Sequence, residues 1–309
     1  MNIVLGIDGS ECSRVAAELV AGMGWPSGTH VRLVAAYESP VDWIGVVPEA
    51  SLLESRDEDV RAELTDALDE QAARLRARGY VTESIVRRGR AATVLLAVAD
   101  EAAADLIVVG SRGHGVAATA LLGSVSATLV DHAHCPVLVA RRAEVRRMLV
   151  AADGSPSAQA IPQILAGWQA FRGIPTEVVT VAPAPPVLPE AWSALAGLRA
   201  TAVHRPADPH ESFRMTADSE AHRLTALGIP STGRVLVGDP ARTIEAAAGE
   251  REVDLVVTGS RGIGDLQRFL LGSVAHHVLL HARCSVLIMR GHVPARIAER
   301  EPALFVQAT

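Results

Sequence analysis

The chain contains no lysine: across 309 residues all 29 side chains of the Lys and Arg class are arginine. Genomic codon bias accounts for that, yet the absence still excludes chemistry. A P-loop lysine, a Schiff-base lysine and a lysine general base are all ruled out. Cysteine is scarce, with only Cys12, Cys135 and Cys284. Three thiols cannot close a disulfide framework, and a chain this long needs none. No apolar run approaches membrane-spanning length. The amino-terminal stretch Met1–Asp8 has no basic region and no long apolar segment, so it reads as a first strand and not as a signal peptide. Excess positive charge is missing too: the formal net charge is −6, with no global attraction to nucleic acid or to an anionic membrane. The expected setting is a reducing cytoplasm.

What the chain does have is a duplication. Gly110-Ser111-Arg112-Gly113 runs on to Leu121-Leu122-Gly123-Ser124-Val125, and Gly259-Ser260-Arg261-Gly262 runs on to Leu270-Leu271-Gly272-Ser273-Val274. In both copies nine residues separate the second glycine from the Gly-Ser pair. Gly79, Gly89, Gly110, Gly123 and Cys135 recur 149 positions later, whereas Asp8 and Ser10 recur after 145, as Asp153 and Ser155. The difference places a four-residue insertion between the second strand and the next helix of the second half. Length alone points to about two domains, and a hydrophobic fraction of 49% supplies each with a core. The expected boundaries are 1–143 and 144–292, with 293–309 as a carboxyl-terminal tail.

Each half alternates strand and helix. In the first, strands are expected at Asn2–Asp8, Val31–Tyr37, Thr82–Val86, Leu106–Val109 and Pro136–Ala140. Helices are expected at Glu11–Met23 capped by Ser10, Asp57–Arg78, Ala91–Ala103, and from a capping Ser124 to Ala133. The second half repeats this, with strands near Arg147–Ala152, Thr176–Val181, Gly233–Val237, Leu255–Thr258 and Ser285–Met289. Its helices fall near Ser157–Phe171, Glu211–Leu227, Ala241–Gly249 and Val274–Ala282. Glu38–Arg56 and Pro183–Pro209 read as loops, the latter a proline-rich flap. Regular alternation implies parallel strands joined by right-handed crossovers, hence an α/β fold of two doubly wound sandwiches in tandem. The short basic link Arg141–Val145 keeps the two close.

In open α/β sheets ligands bind beyond the carboxyl ends of the strands, where strand order reverses. Asp8 and Asp153 end first strands, and Gly110 and Gly259 end fourth strands, so aspartate and glycine loop are expected to face one crevice in each half. Gly110 and Gly113 are expected to allow positive φ and a close backbone approach to an oxyanion, with Gly123 doing the same before the helix. Ser124 adds a hydroxyl and a cap at a helix start. Such a helix end contributes about 0.3–1 kcal/mol when exposed, against roughly 8 kcal/mol for micromolar affinity. Burial of a base must therefore supply most of the binding. Ala36 and Val181, closing the second strands, offer backbone groups to a base edge, while Asp8 and Asp153 offer acceptors to ribose hydroxyls. An Asp-Gly-Ser sequence is also an ordinary turn.

The pattern G-x2-G-x9-G-(S/T), an early strand ending in aspartate and a late His-Ala-x-Cys-Pro-Val segment together resemble the universal stress protein family. The likeness spans about residues 1–140 and 146–290. It implies a five-stranded parallel sheet per domain, ATP as cofactor with or without magnesium, and pairing through the last strands. By that resemblance Asp8, Ala36, Gly110, Gly113, Gly123 and Ser124 contact ATP in the first domain. Asp153, Val181, Gly259, Gly262, Gly272 and Ser273 do so in the second. Pro136–Ala140 and Ser285–Met289 are then expected to pair with each other, with a second chain as a homodimer, or with both, since each is otherwise an exposed apolar edge. Two departures stand out. Ser126 keeps a hydroxyl that Ala275 lacks, which weakens phosphate binding in the second half. Cys284-Ser285-Val286 replaces Cys-Pro-Val, which bears on domain pairing.

Rival readings find little support. A P-loop ATPase lacks both G-x4-G-K-(S/T) and any lysine, and a dinucleotide enzyme lacks G-x-G-x-x-G after the first strand. An electron-transfer flavoprotein-like site shares the architecture, but the glycine spacing favours ATP. His132, His134 and Cys135, like His276, His277, His281 and Cys284, cluster without clear four-ligand zinc spacing; histidines ending helices complement free carbonyls. Cys135 and Cys284 are expected to be buried and inert. Arg112 and Arg261 either approach phosphate or are solvated. With no nucleophilic triad and no evident magnesium cage, the expected function is a nucleotide-binding regulatory module with at most slow hydrolysis. A true ATPase or phosphotransferase and a nucleotide-free scaffold are the alternatives.

Overall fold

A computed structural model describes residues 1–38, 50–113, 122–184, 210–260 and 271–290. The chain order is β1 (Asn2–Gly6), α1 (Glu11–Gly22), β2 (His30–Tyr37), α2 (Ala50–Ala77), β3 (Val81–Arg88), α3 (Ala91–Glu101), β4 (Leu106–Gly110), α4 (Ser124–His132) and β5 (Val137–Ala140). The second half continues with β6 (Met148–Ala151), α5 (Pro156–Gln159), α6 (Ile161–Trp168), β7 (Thr176–Ala182), α7 (Glu211–Ala226), β8 (Ser231–Val237), α8 (Pro240–Glu250), β9 (Leu255–Gly259), α9 (Ser273–His281) and β10 (Ser285–Met289). The flap from 185 to 209, the second glycine loop including Gly262, and the tail after 290 lie outside the described residues.

All ten strands join one sheet in the order β3-β2-β1-β4-β5-β10-β9-β6-β7-β8. Pairing is parallel within each half. The halves meet where β5 runs antiparallel to β10, Leu138 opposite Leu287. β4, β5 and β10 sit in the middle and, like β6, are buried at every position. Parallel strands covered on both faces take this unbroken apolar form. Alternate residues of one strand serve opposite cores: Ile3 and Leu5 face the helices α1, α2, α6 and α7, and Val4 faces α3, α4, α8 and α9. Each core runs through both domains without interruption.

Three departures from the sequence reading have local causes. One helix was expected over Ser157–Phe171, but α5 ends at Gln159 and α6 begins at Ile161; Pro162 has no N–H to donate to the preceding turn. Helix α2 begins at Ala50, inside the expected loop, since Ala50-Ser51-Leu52-Leu53-Glu54 is itself a good helix-forming run. Ser124 is not a cap: Gly123 occupies the N-cap position and Ser124 is the first helical residue.

The domain interface carries a pseudo-twofold pair of arginines. Arg141, just after β5, donates to the Leu279 carbonyl at 2.6 Å and to the Cys284 carbonyl at 3.2 Å. Arg290, just after β10, donates to the Val130 carbonyl. Each domain thus places a cation on the closing carbonyls of the other's last helix, where the dipole is negative. Ser285, standing where the first half has Pro136, adds a bond that proline could not offer through a side chain. Its Oγ accepts from the backbone N–H groups of Arg141 and Arg142, both at 3.1 Å. On the opposite face Trp25 meets Trp168 and Phe171 edge-on, with ring centroids 6.3 and 6.0 Å apart.

Candidate functional site

β1 ends in an Asp-Gly-Ser turn that is repeated at the end of β6. The Ser10 N–H donates to Asp8 Oδ1 at 3.0 Å and the Ser155 N–H to Asp153 Oδ1 at 2.9 Å. Gly9 and Gly154 take φ of 80° and 77°, which an L side chain resists. Ser10 then caps α1 through the Ser13 N–H, and Ser155 caps α5 through the Ala158 N–H. The turn reading of the two aspartates and their place at a strand end are therefore compatible, one carboxylate oxygen holding the turn while the residue borders a cavity.

That cavity, about 270 Å³, lies at the carboxyl ends of β1, β2 and β4. Asp8, Ala36, Gly110, Gly113, Gly123 and Ser124 all line it, together with Val34, Ala91, Leu95 and Arg112. Its counterpart in the second half, about 640 Å³, is lined by Asp153, Val181, Gly259, Gly272 and Ser273. Gly262 and Arg261 lie outside the described residues.

The glycines of the loop are required for proximity, not for unusual φ: none of Gly110, Gly113 and Gly123 has positive φ. A Cβ on Gly110 would lie 2.5 Å from the Cys12 carbonyl carbon, and one on Gly113 would overlap Asp8 Oδ2. Strand β4 therefore packs directly on the first turn of α1, and the loop passes directly over the aspartate. The neck of the loop is closed by the Gly123 N–H donating to the Ser111 carbonyl at 2.7 Å, matched by Gly272 and Ser260 at 2.8 Å. Gly123's own N–H is thereby engaged. The open donors are those of the next turn, because α4 and α9 both start from glycine with no capping side chain. First-turn N–H groups have no intrahelical acceptor, and they carry the positive end of the dipole.

Ser126 does not point at the loop as a free hydroxyl; it donates to the buried Gly110 carbonyl at 2.8 Å. In the second half Ala275 cannot, and Thr258 Oγ1 instead reaches the Gly259 carbonyl at 3.3 Å. The difference between the halves at this position is structural. The histidines behave as helix-end groups: His132 and His281 bond carbonyls one turn back at 3.0 and 2.9 Å, and His277 pairs with Glu245 at 2.8 Å. Cys135 and Cys284 are buried. Burial pushes the Cys135 thiol up to about 12 and raises that of Cys284, so neither is a nucleophile near neutral pH.

An adenine nucleotide fits the residues present. Val34, Ala36, Ala91 and Leu95 form an apolar shelf for a base, and Gly113 is a cradle that a Cβ would fill. The uncapped turn of α4 offers amide donors to phosphate. Among the described residues no three His, Cys, Asp or Glu side chains converge as a metal site, so a magnesium ion would lean on nucleotide phosphates. Sequence reasoning missed Ser212, Phe213 and Thr216 of α7, and Thr180 of β7, which line the second cavity. Thr180 was visible as a polar residue opposite Ala35 at the 145-residue offset; the α7 residues follow an insertion that breaks the repeat.

No helix among the described residues is long and apolar enough to cross a membrane. The sequence profile of the universal stress protein family matches residues 1–141 and again 144–290. A universal stress protein of Mycobacterium tuberculosis is 33% identical over 199 residues, which is 60% of this chain and 62% of that protein, so the match spans less than two thirds of that relative's length. Another from the same organism is 29% identical over 301 residues, 94% of this chain and 96% of its own. Among solved structures, a universal stress protein from Archaeoglobus fulgidus matches 94% of this chain and 98% of its own with a TM-score of 0.63 at 20% identity. One from Pseudomonas aeruginosa matches 96% of each with a TM-score of 0.59 at 17% identity; at such identities these neighbours speak for the fold. With the family profile covering nearly the whole length twice, the chain belongs to the universal stress protein family and carries two of its domains in tandem.

Proposed function

We propose that each domain binds one adenine nucleotide, ATP with magnesium held chiefly through the phosphates, and that the chain is a nucleotide-dependent regulatory module of the stress response in the cytoplasm. The observation that carries this is the duplicated arrangement of an uncapped helix start, a strand-end aspartate and an apolar shelf around one cavity, with the loop glycine Gly113 pressed on the aspartate in the first domain. Three free cysteines, two of them buried, suit a reducing compartment. Because β5 and β10 are engaged with each other, pairing of a second copy would use a different surface, and scattering at several concentrations tests that.

Calorimetry with ATP is the direct test of the nucleotide reading. Two sites per chain are expected, one lost in Gly113→Ala, whose new Cβ overlaps Asp8, and the other in Asp153→Ala. No heat with ATP, ADP or AMP would favour the nucleotide-free scaffold. Many rapid turnovers of ATP, abolished by Gly113→Ala, would make the chain an ATPase.

A further inference from the structure

Domain 2 differs from domain 1 in the lining of its cavity. Its cavity of about 640 Å³ is more than twice that of domain 1, about 270 Å³. The extra wall comes from α7, which brings Phe213 to the rim, half-buried, beside the ends of β6 and β7. Aromatic residues make up 3% of the chain, and of those described Trp25, Trp168 and Phe171 are spent on the domain interface. Beside Phe213, Thr180 lines the same cavity while only 3% exposed, and its Oγ1 has no hydrogen-bond partner. The matching strand position in domain 1 is Ala35, which carries no such group. A buried hydroxyl without a partner costs free energy in the empty protein; a polar ligand edge would recover it.

We propose that domain 2 is the tighter and base-selective nucleotide site, with Phe213 stacking on the base and the Thr180 hydroxyl bonding its polar edge. Domain 1 keeps its apolar shelf but has neither group, so it holds the base less tightly and less selectively. This rests on the nucleotide reading above and adds which domain discriminates, and by which side chains. It reverses the expectation drawn from Ala275, since the Ser126 hydroxyl that Ala275 lacks is committed to the Gly110 carbonyl.

The test uses the whole chain and two probes, ATP and inorganic tripolyphosphate, which has no base. In Phe213→Leu the tighter of two ATP affinities is expected to weaken about tenfold, in line with base stacking on an aromatic ring. The weaker ATP affinity and that of tripolyphosphate should not move. Thr180→Val is expected to weaken the same ATP site several-fold and to raise the melting temperature of the nucleotide-free protein, since it removes the unpartnered hydroxyl. Stacking should also shift the adenine ring protons upfield in the wild type and not in Phe213→Leu. Equal ATP affinities unchanged by either variant would overturn the proposal and leave ATP binding intact. Parallel loss of ATP and tripolyphosphate would overturn it in favour of a purely structural role. Failure of the wild type to bind ATP at all would remove this proposal and the reading beneath it together.

Discussion

At the scale of single residues, the duplicated glycines show how one letter answers to different neighbours. A Cβ on Gly110 would strike the backbone of Cys12, whereas one on Gly259 would strike the Ser157 hydroxyl at 2.5 Å, a group that can rotate away. Gly110→Ala is therefore expected to cost about 1–3 kcal/mol of stability, the usual range for overpacking, and Gly259→Ala less, measured by denaturant unfolding of each variant. The spacing of these glycines was legible in the sequence, but their reason was not: positive φ is a local property, while the contact with Cys12 lies 98 positions away in the chain. Cys135 gives a pH prediction. The folded state holds its thiol proton up to about 12, against an ordinary value of 9.0. Below pH 9 both states are protonated and the full stability is present. Between 9 and 12 the unfolded chain ionises first, so stability falls as pH rises. The melting temperature should drop across that window, and Cys135→Ala, though less stable overall, should drop less.

At the scale of elements, periodicity located every described strand and most helices, because alternation of apolar runs with 3.6-residue patterns survives without tertiary knowledge. It failed at α5 and α6, where Pro162 sits inside an otherwise helical apolar pattern, and at the start of α2, where good helix formers followed a stretch read as loop. The caps were partly legible. Ser10, Ser155 and Asp239 cap by side chain, whereas α4 and α9 start bare from glycine, and Ser124 beside Gly123 suggested a cap that is not there. Ser126 ties α4 to the end of β4. Ser126→Ala is expected to cost about 1 kcal/mol, the net worth of one such bond, visible as a lower denaturation midpoint with the slope unchanged. ATP affinity should change little, since the hydroxyl is occupied.

At the scale of the whole molecule, the two cores run through one ten-stranded sheet, and the seam is secured by bonds that no local pattern announces. Arg141 and Arg290 reach carbonyls 138 and 160 positions away. A signal did exist: the two arginines stand 149 apart, the same offset as the glycines. Burial pulls the Arg141 guanidinium below its usual range, a cost offset by the carbonyls it meets. Arg141→Met should leave those carbonyls without their donor and lower stability by about 1–3 kcal/mol. The double variant Arg141→Met with Arg290→Met should split a single calorimetric transition into two, one per domain; a single sharp transition in the double variant would count against the seam as the source of cooperativity. Ser285→Pro would delete the bonds from the Arg141 and Arg142 amides and should weaken the same seam without touching either cavity.

The antiparallel joint between β5 and β10 has a further consequence. Because both partners of the pair belong to one polypeptide, their encounter is intramolecular, and dilution cannot part them. A dimer of identical chains must change both of its pockets whenever it changes one. A tethered pair is released from that constraint, so Thr180 and Phe213 can stand on one side of the joint while Ala35 remains on the other, and two unequal receptors arrive in fixed one-to-one ratio from a single act of translation.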